Sequence, residues 1–206
     1  MPAYMPNTND NLIIRPPSLD DVTPLLAFEL ENRAHFEQWI HARGQHFYAE
    51  AAVRASITTA IQHREHDQAY SWLVWQDNCI AGRVNLTGVM RAYFNRAILG
   101  YRIGHAFQGR GLATRAVALV LKQAFDELGL WRIEANVRLD NVASLRVLER
   151  NGFRRFGQSR DSFHLAGRWF DLVHFECRSP HGPSLTNLAL PQHLAPTGVP
   201  PEDPSL

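Results

Sequence analysis

Apolar residues recur along the chain with two periods, and the switches between them mark out its elements. Val53, Ile57 and Ile61 repeat every four residues and predict a helix over about 49–64. Val22, Leu25, Leu26 and Glu29 fit the same period. They follow Ser18, Asp20 and Asp21, residue types that open helices, and Pro24 falls in the early turns where proline costs least. From Ser71 the period drops to two. SWLVWQDNCIAGRVNLTGV reads as two strands around an Asp77-Asn78 turn, and YFNRAILGYRIG as a third.

LIIRP predicts a strand ahead of all of these. A later helix runs from near Gly111 to about Leu128, where Gly129 stops it. LWRIEANVR then reads as a strand and NVASLRVLERNG as a short helix ended by Gly152. FRRFGQSRDSF and RWFDLVHFECR pair as strands across LAGR. The resulting order, β-α-α-β-β-β-α-β-α-β-β, predicts an α/β (α+β) domain around a mixed sheet. Three consecutive strands need antiparallel pairing, which excludes a doubly wound nucleotide fold.

A length of 206 residues suits one domain with a sizeable core. Residues 1–10 are expected to be a flexible N-terminus, 11–178 the folded domain, and 179–206, with seven prolines, a disordered tail. A formal net charge of +1 argues against a binder of nucleic acid that works by neutralising phosphates, and gives no reason to expect a membrane surface. MPAYMPNTNDNL lacks the features of a signal peptide, and no apolar run approaches the roughly 20 residues that span a bilayer, so a cytoplasmic location is expected. Cys79 and Cys177 read as reduced packing residues, and Trp72, Trp75, Trp131 and Trp169 as core or core-edge aromatics. The ten histidines show no metal-ligand spacing, and neither HExxH nor CxxC occurs, so no metal is expected.

Candidate chemistry gathers at QGRGLATRAV, residues 108–117. A helix starting near Gly111 aims its free N–H groups and roughly half a positive charge at whatever lies before it. Gly109 and Gly111 let the backbone approach a ligand closely, making a cradle suited to a pyrophosphate. A Walker A loop is excluded, because Leu112 and Ala113 stand where Lys and Ser/Thr are required. A dinucleotide fingerprint fits poorly, since Thr114 occupies the third small position and His105–Phe107 separate the loop from its strand. A plain loop entering a helix remains the alternative.

Gln108-Gly109-Arg110-Gly111-Leu112-Ala113 resembles the Q/R-x-x-G-x-G/A signature of the GNAT acetyltransferases. LGYRIG before it, RIEANVR after it, and then Asn141-Val142-Ala143-Ser144-Leu145 with Glu149-Arg150-Asn151-Gly152-Phe153 follow that superfamily's order. ENRAHF, LTGVMRAYFNRAILGYRIG and the closing GRWFD resemble, more narrowly, the RimJ/RimL type of ribosomal-protein alanine or serine N-acetyltransferases. The resemblance spans about residues 12–178. It implies a largely antiparallel central sheet flanked by helices, in which LGYRIG and RIEANVR form a splayed parallel pair. It also implies acetyl-CoA as co-substrate.

On that resemblance the backbone of 109–114 (Gly109, Arg110, Gly111, Leu112, Ala113 and Thr114), with Gln108, holds the pyrophosphate. Ile103 pairs with the pantetheine arm, and Arg110 and Arg115 meet the phosphates or are solvated. Asn141 either bonds the pantetheine amides or caps the helix at 142–151, roles that are compatible. Ser144, one turn on, protonates the departing thiolate or is a surface serine. The residue matching the family's glutamate base is Asn136, which accepts no proton at neutral pH. Glu134, two residues earlier on the same strand face, is the catalytic candidate in its place, though it equally suits holding Arg132 or Arg102. His105 is a further candidate, more simply a loop-surface residue. Residues His35–His41 either shape the acceptor groove or connect two helices.

An α-amine has a pKa of about 7.7–8.0 against about 10.4 for lysine, so a site without an obvious strong base suits an N-terminal amine. The expected activity is acetyl transfer from acetyl-CoA to the N-terminal amine of a protein, a ribosomal protein on the resemblance, by a monomer or homodimer. Two alternatives stay open: a small amine acceptor (a polyamine, an amino sugar or an antibiotic), and an acyl-CoA-binding module without turnover.

Overall fold

The period-two stretches become seven strands of one sheet, in the spatial order β1-β2-β3-β4-β5-β7-β6. The structure is a computed structural model that describes residues 12–183; the expected flexible N-terminus and most of the expected tail lie outside the described residues. β1 (Leu12–Arg15), β2 (Tyr70–Gln76), β3 (Cys79–Met90) and β4 (Arg96–Ile103) pair antiparallel in succession. Asp77 and Asn78 join β2 to β3 with φ of 49° and 65°, the left-handed pair that a tight hairpin needs. β5 (Arg132–Arg138) lies parallel to β4, and β7 (Arg168–Arg178) and β6 (Arg154–Leu165) continue antiparallel. This is the mixed sheet that the element order predicts, largely antiparallel as the resemblance implies.

Helices cover both faces because their apolar stripes match the sheet's alternation. α1 (Val22–Glu31), the short α2 (Arg33–Phe36) and α3 (Glu50–Glu65) pack Leu25, Phe28, Phe36, Val53 and Ile57 onto Leu73 and Ile80. On the other face lie α4 (Leu112–Lys122) and α5 (Val142–Arg150). Leu112, Ala116, Val117, Val120 and Leu121 of α4 form one buried stripe at helical spacing and meet Trp72, Val84, Leu86 and Ile133. The helix predicted to reach Leu128 ends instead in a π-helical turn over Gln123–Glu127. Gln123 there accepts a 2.7 Å hydrogen bond from the indole of the fully buried Trp72.

Two packing expectations fail. Trp169 is 60 % exposed, since it stands at the tip of the β6–β7 hairpin, where it meets the His164 ring and no helix covers it. Cys79 is exposed because it follows directly on the β2–β3 turn. Trp75, Trp131 and Cys177 are partly buried, and burial pushes the Cys177 thiol up. Beyond β7, the Ser179 amide donates to the Trp131 carbonyl at 2.8 Å, and His181 reaches Asp126 at 2.9 Å.

Candidate active site

The parallel pair is the feature that opens the sheet. β4 and β5 pair only over Arg96–Ile98 and Arg132–Glu134. Beyond that point each strand keeps its outer neighbour: β4 follows β3 to Ile103, and β5 follows β7 to Arg138. The two inner edges diverge into a wedge whose walls carry backbone groups without ladder partners across the gap, the kind of edge that an extended ligand can complete. Glu134 stands at the root, bonded to Arg96 at 2.8 Å and to Arg132 at 2.7 Å.

The glycine loop lies at the mouth of the wedge. Gly109 and Gly111 have φ of 74° and 72°, so the backbone itself requires them there. A Cβ on either would meet nothing within 4 Å, so both face open space. α4 begins at Leu112, which leaves the amides of residues 112–114 without intrahelical acceptors. A cleft of about 950 Å³ runs from this loop along Ile103 to Asn141 and Ser144. Gln108 is tied to His35 by a 2.8 Å hydrogen bond, while Arg110 is exposed; neither Arg110 nor Arg115 borders the cleft.

At the far end, the Asn141 side chain accepts from the Ser144 amide at 3.1 Å, so its capping role is present, and it also borders the cleft. The Ser144 hydroxyl shares a 2.8 Å hydrogen bond with the Tyr101 hydroxyl, which also reaches the Ser144 carbonyl at 3.2 Å. Burial pushes the Tyr101 phenol up to about 12, so it stays a neutral proton donor. Sequence reasoning missed Tyr101. A usable sign was its place two residues before Ile103, on the same strand face.

A second cleft, about 420 Å³, opens between Asn85, Gly100, Asn136, Arg138, Phe163 and Leu172. The two clefts share Trp39, Ile40, Tyr101, Arg102, Asn141 and Ser144. Part of the 35–41 segment therefore borders both. Asn136 lines the smaller cleft, and its side-chain oxygen meets His174 at 2.7 Å. Glu134 lines neither cleft, because its carboxylate is engaged by the two arginines at the wedge root. His105 borders the larger cleft with its ring 5.3 Å from that of His35, whose pKa burial and His105 together lower. Chemically, the arrangement can hold a long ligand with an anionic head at the glycine loop and its reactive end at the hydroxyl pair. A second reactant can reach the same point from the smaller cleft.

Comparison with known proteins bears on this geometry. A family model described as "Acetyltransferase (GNAT) domain" matches residues 11–154. A probable N-acetyltransferase of Bacillus subtilis, YjcK, is 35% identical over 162 residues, covering 78% of this chain and 90% of that protein. The [ribosomal protein uS5]-alanine N-acetyltransferase of Escherichia coli is 27% identical over 168 residues, covering 81% of this chain and 87% of that protein. Among solved structures, the ribosomal-protein-S5-alanine acetyltransferase of Vibrio fischeri superposes with a TM-score of 0.79 at 23% identity, covering 82% of this chain and 93% of that one. Mycobacterium smegmatis RimJ, solved with a CoA-disulfide, superposes with a TM-score of 0.77 at 24% identity, each chain being covered to 84%. No helix among the described residues is long and apolar enough to cross a membrane.

Proposed function

The chain belongs to the acetyltransferase (GNAT) family and is an N-acetyltransferase; from that premise we propose that it acetylates the N-terminal α-amine of a protein, ribosomal proteins being the favoured class, with acetyl-CoA as donor. The observation that carries this reading is the meeting of two clefts at the Tyr101–Ser144 hydroxyl pair.

In this reading the larger cleft takes the donor. The backbone of Gly109–Thr114 fits a pyrophosphate, because nothing stands over either glycine and the helix start turns its amides outward. Gln108 borders that contact, and Arg110 contributes its backbone while its side chain stays outside the cleft. The unladdered β4 edge at Ile103 offers its backbone to the amides of the pantetheine arm, and Asn141 bonds the same arm while capping α5. The acceptor amine arrives through the smaller cleft and attacks the thioester carbonyl directly, with no covalent enzyme intermediate. Holding both reactants at one point supplies much of the rate, and backbone N–H groups near the thioester steady the developing oxyanion. Tyr101 and Ser144 deliver the proton that the departing thiolate takes up, and the pair regains one, directly or through water, from the amine nitrogen as it becomes an amide.

Among the described residues the smaller cleft is lined by no carboxylate and the larger one by Glu31 alone, and in this reading Glu134 acts as a pin at the wedge root rather than as a base. An α-amine, about 2.5 pKa units below lysine, already has a substantial neutral fraction at pH 7 and needs the least help. The RimJ-like chain organisation and the E. coli uS5-alanine relative support the same acceptor. The test is thiol release from acetyl-CoA with Ala- and Ser-starting peptides set against spermidine. Peptides should turn over faster by about tenfold or more. Faster turnover of the polyamine would overturn the N-terminal assignment.

A further inference from the structure

The smaller cleft is walled by buried positive charge in excess of anything acetyl transfer requires. Glu29 on α1 is 2 % exposed and faces three arginines from three different segments. The guanidinium of Arg83 on β3 donates at 2.8 Å and that of Arg102 on β4 at 2.7 Å, while Arg43, in the loop before α3, stands at 3.8 Å. One carboxylate against three guanidinium groups leaves two positive charges over. Three of their nitrogens, Arg43 Nη1, Arg83 Nε and Arg102 Nε, are buried without a hydrogen-bond partner. Burial pulls the Arg102 guanidinium down to about 9 even with Glu29 beside it, and lowers that of Arg43. Uncompensated buried charge of this kind is unfavourable unless an anion completes it.

The excess faces the smaller cleft and, through Arg102, its junction with the larger one. Arg43 and Arg102 line the smaller cleft, whereas Arg83 stands behind them. Arg138 adds nothing to the imbalance, since Asp140 grips it at 2.5 and 3.0 Å. Arg102 follows Tyr101 directly on β4; their side chains start from opposite faces of the strand, yet both border the smaller cleft. A cleft of about 420 Å³ accommodates the first few residues of a peptide and little more.

We propose that Arg43 and Arg102 form an anion subsite for the acceptor, taking the side-chain carboxylate of an Asp or Glu within the first three residues of the peptide whose amine is acetylated. This rests on the N-terminal reading above and narrows it to acidic N-termini. The planar guanidinium fork matches a carboxylate, and the same field repels a polyamine.

The test compares matched peptides beginning Ala-Asp and Ala-Asn. In the wild-type enzyme kcat/KM should favour Ala-Asp by about tenfold or more, and Kd measured calorimetrically with CoA present should show the same ratio without depending on turnover. Arg43→Gln, on an exposed-edge loop, should bring both ratios close to one, and Arg43→Glu should invert them. Equal kcat/KM and equal Kd in the wild type would overturn the subsite while leaving N-terminal acetylation standing. A ratio that survives both Arg43 variants would overturn the assignment to these arginines. Transfer to neither peptide, with the Kd ratio intact, would support the subsite and overturn the N-terminal reading instead. Free glutamate acetylated faster than either peptide would overturn the peptide part.

Discussion

The Tyr101 and Ser144 hydroxyls bond each other at the point where both clefts meet, so removing either leaves a hydroxyl behind. Tyr101→Phe should lower kcat about ten- to a hundredfold with KM for acetyl-CoA little changed, and Ser144→Ala should do the same to a lesser degree. Steady-state kinetics on the two variants and their double mutant check this; a loss confined to KM would assign the pair to binding. Because burial holds the phenol protonated to about 12, the neutral donor persists across the working range. The wild-type kcat should therefore show no alkaline limb from this group between pH 8 and about 10. Ser144 was legible in the sequence through the spacing Asn141-x-x-Ser144. Tyr101 was not, although it stands inside GYRIG. Its partner lies 43 residues away, and an aromatic on the apolar side of a strand reads as core until the fold shows what it touches.

The elements were the most legible level, because each carries its own period and its own stops. Gly111 shows why. Its φ of 72° and the helix that starts one residue later are both local facts, and two glycines before a run of helix formers announce them. Gly111→Val should cost about 1–2 kcal/mol through the forced left-handed backbone, lowering Tm by several degrees. CoA affinity should fall about tenfold or more, since the branched side chain projects into the open space where the phosphates are to sit. Calorimetric titration beside a thermal melt separates the two effects, and unaltered CoA affinity in a folded variant would count against the cradle. Two features were not legible in the local pattern. The apolar alternation of β4 runs unbroken through Leu99, Tyr101 and Ile103, so its splay from β5 was expected only through the family resemblance, and the parting after Ile98 is set by the fold. The π-helical turn at 123–127 likewise follows from how Gln123 meets Trp72, a contact across 51 residues.

For the molecule as a whole, Glu29 is the tie between layers. From α1 it bonds β3 and β4 at once, joining the smaller core under α1 and α3 to the sheet. Glu29→Gln leaves three arginines crowded without their counter-ion and should destabilise the fold by about 3–5 kcal/mol. Denaturant unfolding should show it as a lowered midpoint with an unchanged slope. The sequence marks Glu29 only as one more position in a helical period, and its partners lie 54 and 73 residues away, beyond any spacing rule. Fold class and family, by contrast, were readable, since they rest on the order of elements and on motifs that survive in line along the chain.

The wedge root carries one more consequence. Glu134, clamped from both sides by Arg96 and Arg132, fixes where the strands part, so the spacing between the two facing edges is set as the chain folds. An extended arm whose amides match that spacing can slot in like a missing rung, and the walls need no reordering to receive it. Rigidity of this kind is preorganisation: the binding free energy loses little to entropy and remains for aligning the reacting atoms.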